Sequence, residues 1–564
     1  MSRRLAAAAA MIAAAWALSA NGAIRFADVT AKAGVKRQHH TRTFKGKAGD
    51  VLGMFTSGGS SAAAGDYDND GDDDLFVTDS DEGRASILYR NEGNFTFTDV
   101  AATAGVGGGN DPLSIVSDAI WFDFDNDGWR DLLVARFGTP LLYRNQRNGT
   151  FKDVSAASGM ASFANTIAVV TFDFDRDSRL DLLFGNYFPP ENLIELKTPH
   201  VLPNDLDNAV NGGGVTLWRN LGGGRFEDVT KKAGLANARG WTLDVGHGDF
   251  DDDGHQDVYL AGDYGTDRVY FNNGDGTFTD TTEKSIGFDT RKGMNVDVGD
   301  YDNDGRFDVY VTNITDEYMK ECNMLWHNNG DRTFTDVSRE TATCDSLWGW
   351  SAKFGDFDND RLLDIFAVNG LRSAGPDNYI PVLVNMITAP GVDFTNVHSW
   401  PPIGNMTWSG YQKKKLFRNV DGHAFKEIAA AAGVDNDRDG RGLAMADFDR
   451  DGRLEFFQAN ANQEPILYRN VTEPAGNWVA LDLVGTASNR DAIGARVAVT
   501  TGSGQTLVRL VDGGNAYAGQ STRRVHVGLG PDTKIETLEI RWPSGIRQRA
   551  TAAVGRITTI RETK

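Results

Sequence analysis

Asp66-Tyr67-Asp68-Asn69-Asp70-Gly71-Asp72-Asp73-Asp74-Leu75 sets carboxylates at positions 1, 3, 5 and 9 of a box that ends on an apolar residue. Alternate acids converge on one cation only if the chain curls, and Gly71 at position 6 permits the positive-φ turn that curls it. Position 7 can add a backbone carbonyl, and Asp74 closes the shell. Oxygen-only ligands in a flexible loop suit Ca²⁺ better than Mg²⁺ or zinc. There is no bidentate Glu at position 12 and no flanking helical pattern, so the box is not an EF-hand. An apolar run precedes it and a strand-like run follows. It reads as a calcium loop between two strands.

A single box could be a solvated acidic turn, but this one recurs in register, seven copies in all. The first set of expected ligands is Asp66, Asp68, Asp70 and Asp74. The others are Asp123, Asp125, Asp127 and Asp131; Asp173, Asp175, Asp177 and Asp181; Asp249, Asp251, Asp253 and Asp257; Asp300, Asp302, Asp304 and Asp308; Asp356, Asp358, Asp360 and Asp364; and Asp447, Asp449, Asp451 and Glu455. Ser178 and Arg361 replace the glycine at position 6, where a side chain costs about 1–2 kcal/mol, so those two boxes are expected to be weakest. Up to seven Ca²⁺ would account for most of the formal charge of −21.

Two further motifs travel with each box. One is Leu-Tyr-Arg-Asn, as at Leu88–Asn91, Leu142–Asn145 and Leu467–Asn470, with variants such as Val269-Tyr270-Phe271-Asn272 and Leu325-Trp326-His327-Asn328. The other is Phe-x-Asp-Val after a Gly-rich turn, as at Phe97–Val100, Phe151–Val154 and Phe226–Val229. Short alternating runs joined by Gly- and Asn-rich turns are hairpins. The unit is therefore strand A, box, strand B, strand C, turn, strand D, at a period of roughly 50 residues, the signature of a β-propeller. Phe26-Ala27-Asp28-Val29 is a D-strand with no C-strand before it, and Leu467–Asn470 is a C-strand with no D-strand after it. Pairing the two closes a seven-bladed ring and removes its open edges. The fold class is all-β.

Strand direction puts all seven boxes on one face. The long B–C insertions 186–214 and 369–415 rise from the other. The second carries Tyr379, Trp400, Trp408 and Tyr411. These either form a recognition surface, since long loops on a rigid scaffold carry function, or cap the channel as a local core. Cys322 and Cys344 lie in loops of the fifth repeat on that same face. They are expected to form a disulfide, the alternative being two buried thiols.

Residues 1–23 read as a secretory signal peptide: Arg3 and Arg4, the apolar run Leu5–Leu18, then small residues. The run is too short to span a membrane, and no later segment is apolar enough to do so. No basic patch points to nucleic acid. The repeats occupy residues 24–473. From 474 to 564 the boxes stop and short strand-like runs (Trp478–Val484, Ala495–Thr500, Thr506–Val511, Arg523–Val527, Ile535–Arg541) indicate a small β-sandwich-like domain.

The boxes with their partner motifs resemble FG-GAP/VCBS repeats, the repeat type of integrin α-chain propellers. Asn489–Arg496, His526–Gly530 and Trp542-Pro543-Ser544-Gly545 resemble the ASPIC/UnbV domain. The combination is similar to the cartilage acidic protein family. The resemblance implies calcium binding and a periplasmic or extracellular setting, but no defined reaction. The expected function is an exported calcium-binding propeller that binds a protein or glycan. The alternatives are an enzyme of UnbV type, with its site on the face opposite the calcium loops, and an architectural surface protein. No Gly-x-Ser-x-Gly, His-Glu-x-x-His or Cys-x-x-Cys motif is present. His39, His40 and His247 could meet a transition metal near the channel, although nothing in their spacing requires it.

Overall fold

The computed structural model describes residues 22–46 and 48–563. The signal-peptide reading falls almost wholly outside them. Among the described residues, seven four-stranded antiparallel units follow one another, each built A-B-C-D from its own box and partner motifs. The first has strands Ala62–Gly65, Asp74–Val77, Ile87–Asn91 and Phe97–Asp99. The seventh has Gly440–Ala446, Glu455–Asn460 and Ile466–Asn470, and its fourth strand is Phe26–Asp28. Phe26 pairs with Asn470 and Asp28 with Tyr468, so the chain's beginning completes its last repeat. The A strands touch in cyclic order from unit 1 round to unit 7 and back to unit 1. The units are not all separate sheets: Ala164 and Asn165 pair with Gly138 and Phe137, which fuses units 2 and 3 into one eight-stranded sheet.

The two partner motifs explain the packing between units. The aromatic residue at position 2 of a box meets the D-strand Phe of the next unit: Tyr67 on Phe151, Phe174 on Phe278, Phe250 on Phe334, Tyr301 on Phe425, Phe357 on Phe26 and Phe448 on Phe97, with ring centroids 5.5–6.2 Å apart. The Asp of Phe-x-Asp-Val leads into a short helical turn, as where Asp28 Oδ1 accepts the N–H of Thr30, the first residue of the helix Thr30–Ala33, at 2.9 Å.

The C-terminal domain has two sheets. One comprises Val525–Gly530, Asn477–Val484 and Ile557–Arg561. The other comprises Thr506–Leu510, Arg496–Thr501, Ile535–Arg541 and Arg547–Ala550. Alternate residues Val497, Val499, Leu538 and Ile540 of the second sheet are buried, as are Val479, Leu481 and Leu483 of the first.

The C-terminal domain does not stand apart from the ring. Its segment 511–522 enters the axis and bonds to every unit. Gly519 and Gln520 pair in parallel with Ala62 and Ala63 of unit 1. The Gln520 amide both accepts the Trp121 N–H (2.7 Å) and donates to the Trp121 carbonyl (2.9 Å) in unit 2. Gly513 O accepts the Thr171 N–H of unit 3. Asn515 does for His247 of unit 4 what Gln520 does for Trp121, at 2.9 Å each way. The Tyr517 N–H donates to Asn295 Oδ1 in unit 5, and Lys353 of unit 6 donates to Asn515 O and pairs with Asp512 at 3.0 Å. The Thr522 N–H reaches Met445 O of unit 7.

Candidate metal centres

Each box is shaped by its own carboxylates. In the first, Asp66 accepts the N–H groups of Asp70 (3.1 Å) and Gly71 (3.0 Å), which bends the loop back on its start. Asp74 accepts the Tyr67 N–H at 3.1 Å with one oxygen and the Asn91 N–H at 2.8 Å with the other. The position-9 acid thus ties the box to the C strand. Glu455 keeps both contacts with its longer arm, at 3.0 Å to Phe448 N and 3.4 Å to Asn470 N.

Two residues per box adopt the left-handed conformation. Position 6 has φ of 96° at Gly71, 70° at Ser178 and 88° at Arg361. The departures from glycine therefore do not change the turn. Position 4, to which the sequence reading assigned no role, has φ of 55–60° in all seven boxes (Asn69, Asn126, Arg176, Asp252, Asn303, Asn359 and Arg450). Asparagine tolerates this region better than most side chains, and its recurrence at position 4 was the available signal. The side chains also link neighbouring boxes: Asn69 donates to Gly128 O, Asn126 to Ser178 O, Asn303 to Arg361 O and Asn359 to Gly452 O, at 2.8–3.2 Å.

The residues fit a hard cation. Donor oxygens of Asp66, Asp68 and Asp70 lie within 4.8 Å of one another, as do those of Asp123, Asp125 and Asp127, of Asp173, Asp175 and Asp181, and of Asp249, Asp251 and Asp257. In six boxes a buried carboxylate oxygen has no hydrogen-bond partner: one each on Asp68, Asp125, Asp175, Asp249, Asp300 and Asp449. A buried orphan acceptor is costly, and its repetition across the boxes marks where a cation would bind. Burial pushes the Asp74, Asp181, Asp257, Asp308 and Asp364 carboxyls well above the ordinary range. The C-strand cations engage outer oxygens and leave the orphans free: Arg144 reaches Asp125 Oδ2 at 2.6 Å, and Arg469 reaches Asp449 Oδ2 at 2.7 Å. Unit 4 has Phe271 in place of the arginine, and there Arg332 from the next unit meets Asp251 at 2.5 Å and lies over the Phe271 ring.

The C-terminal domain lies on the box face and touches all seven loops. Arg524 donates to Gly71 O, Arg496 to Gly305 O and His526 Nε2 meets Gly452 O, at 2.9–3.1 Å. Asp491 accepts the Asp123 N–H at 2.7 Å, Arg176 donates to Pro543 O at 3.0 Å, and Arg541 pairs with Asp249. Arg361 donates to Ser503 Oγ at 3.1 Å and pairs with Asp532 at 3.3 Å. Its side chain, read from sequence only as a misfit for glycine, is a tie to this domain.

The opposite face corrects the expected recognition surface. Trp400 is 8% exposed, Trp408 5% and Tyr379 0%; of the four aromatic residues singled out, only Tyr411 is open, at 54%. The tryptophans pack with Tyr379, Trp348 and Phe55. Their polar edges are spent internally, Trp400 Nε1 on Phe394 O and the Tyr379 hydroxyl on Pro401 O, both at 2.8 Å. The insertion needs a core of its own, and its large aromatics supply it. Cys322 and Cys344 form a disulfide. The three histidines have other partners: His39 meets Ser80 Oγ, His40 meets Asp79, and His247 accepts the Gly513 N–H and meets Gln256.

Residues 485–564 match the family model "ASPIC and UnbV", and 123–184, 249–311 and 315–367 match the FG-GAP-like repeat. Three of its stretches are thus similar to FG-GAP-like repeats, and its last 80 residues to the ASPIC/UnbV domain. It is similar to cartilage acidic protein 1 of Homo sapiens, at 24% identity over 491 residues, covering 85% of this chain and 61% of that protein. The Xenopus tropicalis protein is 23% identical over 464 residues, covering 78% and 63%. The chain thus spans about three-fifths of the length of these relatives. Among solved structures, an Agrocybe aegerita lectin specific for terminal N-acetylglucosamine matches with TM-score 0.39 and 16% identity, covering 72% of this chain and 86% of that one. The rhamnogalacturonan lyase YesX matches with TM-score 0.37 and 14% identity, covering 72% and 71%. Among the described residues, no helix is long and apolar enough to cross a membrane.

Proposed function

We propose that this protein is an exported, calcium-loaded binding or adhesion module for a protein or glycan, and that it meets its ligand on the face opposite the boxes. The observation that carries the reading is the position of the ASPIC/UnbV domain. It contacts the box loops of all seven units and enters the axis, and these contacts leave the face of the two insertions free of that domain. The boxes then serve stability. Each ties strand A to strand B, with Ca²⁺ relieving the repulsion of four clustered acids. Export agrees with the leader-like residues 1–23, with the disulfide and with the similarity to cartilage acidic protein 1.

The test is a binding screen of the mature chain in ~1 mM calcium, a level matched to extracellular calcium modules, against glycan arrays and extracellular-matrix proteins. Saturable binding that is lost on substitution of insertion-face residues is expected. Binding blocked only by substitutions on the box face would contradict the assignment of the face.

A further inference from the structure

A cavity of about 520 Å³ opens on the insertion face between units 6, 7 and 1. Its wall is formed by the stretch 41–57 that leads into unit 1, the start of the second insertion (371–374) with Asn405, and residues 439 and 461–463 of unit 7. It lies within the size range of small-ligand sites.

Its chemistry is polar and uncommitted. Asp50 Oδ2 accepts the Gly404 N–H at 3.0 Å, while Arg372 Nη2 donates to the Gly404 carbonyl at 2.5 Å. The backbone of one residue, Gly404, thus engages both an acid and a guanidinium, and each has hydrogen-bonding atoms to spare. The Asn405 amide makes no hydrogen bond within the described residues. The amide nitrogens of Asn462 and Gln463 are likewise unused, since their oxygens alone are engaged, by Thr41 N and Asp439 N. Thr41 Oγ1 is buried without a partner. Phe44 adds an aromatic surface to the wall. No wall cation lacks an acid: Arg42 is held by Glu82 and the Asp111 and Pro112 carbonyls, Asp439 is held by Ser373, and Arg372 stands against Asp50.

We propose that this cavity is a saccharide-binding site that takes a neutral hexose or N-acetylhexosamine unit. Each sugar hydroxyl both donates and accepts, so it needs mixed donors and acceptors held in fixed positions. The planar Asp50, Arg372, Asn405, Asn462 and Gln463 groups supply these, and Phe44 offers a surface for the apolar face of a pyranose ring. A phosphate or carboxylate would have to sit beside Asp50 and Asp439 and gains no net counter-charge. The inference rests on the reading of the protein as a binding module and narrows its ligand.

The experiment is calorimetric titration of the mature full-length chain, in calcium, with neutral mono- and disaccharides of hexose and N-acetylhexosamine. Glucuronic acid and glucose 6-phosphate serve as charged counterparts. The expected result is binding of at least one neutral sugar, weakened tenfold or more by Asn405→Ala and by Arg372→Ala with the melting temperature unchanged. Asn405 has no side-chain hydrogen bond to lose, so its variant keeps the test valid if Arg372→Ala unfolds. Neutral-sugar binding untouched by Asn405→Ala overturns the site, and preference for the charged sugars overturns the ligand class. If no sugar binds while a matrix protein does, this inference fails and the proposed function stands. Absence of any binding overturns both.

Discussion

The side-chain amide of Asn91 donates at 3.0 Å to the main-chain carbonyl of Phe448, which lies in the box of the last unit. The same amide donates to Asp73 O of its own box at 3.2 Å. The bond recurs around the ring: Asn145 to Tyr67 O, Asn220 to Phe124 O, Asn272 to Phe174 O, Asn328 to Phe250 O, Asn419 to Tyr301 O and Asn470 to Phe357 O. The asparagine that ends each C strand therefore stitches a unit to its predecessor, and Asn91 joins the first unit to the seventh. Replacing Asn91 by Ala strands two buried carbonyls, at roughly 1–3 kcal/mol each. We expect Asn91→Ala to lower the melting temperature clearly, whereas Asn237→Ala, at an exposed site, stays within about 0.5 kcal/mol of the parent. Equal melting curves for the two variants would remove the asparagine stitch from the account.

The axial segment makes a second prediction. Gln520→Ala leaves the buried N–H and C=O of Trp121 without partners, at a cost of roughly 2–6 kcal/mol. Deletion of residues 474–564 withdraws hydrogen bonds from all seven units at once. That truncated chain should aggregate or unfold well below the full-length protein. A soluble truncation that melts at the parental temperature would show that the ring needs no axial segment.

Much of this fold was legible because the repeats declare themselves. The box, the C-strand asparagine and the D-strand phenylalanine recur in one register, so Phe26–Asp28 could be assigned to Leu467–Asn470 across nearly the whole chain. What pattern could not convey was partnership across space. Asn91 reads only as the end of a C-strand motif until Phe448 O is seen beside it. Trp400 and Trp408 have the composition of a binding surface, and only packing shows that they face Tyr379 and one another. The domain after residue 474 reads as a separate module because no local signal says that Arg524, Arg541 and Asp491 land on boxes hundreds of residues away. The cavity was invisible for the same reason, being assembled from stretches far apart in the chain.

The buried tryptophans give a third prediction. Trp400→Ala and Trp408→Ala should each cost about 3–5 kcal/mol, and Tyr411→Ala should cost little. Melting curves in calcium decide it. Near-parental stability for both tryptophan variants would contradict their place in the core of the insertion.

Protonation gives a fourth. Burial pushes the Asp263 carboxyl up to about 6, where it accepts the Tyr187 hydroxyl. In the unfolded chain the group titrates near 3.9. The folded state then holds its proton more tightly between those values. The stability this group contributes is fully present below about pH 4 and is lost as pH rises through about 6. Asp263→Asn, which keeps a partner for Tyr187, removes that loss. Its stability relative to the parent should rise by up to ~3 kcal/mol from pH 4 to pH 6 and then level off. A difference that does not change with pH would refute the assignment.

The proposed calcium loading of the boxes bears directly on the stability of the ring. Sites of the extracellular class bind at ~10⁻⁴–10⁻³ M. At about 1 mM calcium that gives ~0.4–1.4 kcal/mol per box, or roughly 3–10 kcal/mol over seven, which is comparable to the whole net stability of a domain. The most direct measurement is the melting temperature of calcium-loaded mature protein across a calcium titration, with an excess of chelator as its endpoint. A steep fall on chelation is expected, reversed by calcium and not by an equal concentration of magnesium. A melting temperature that stays the same from chelator to millimolar calcium would contradict it.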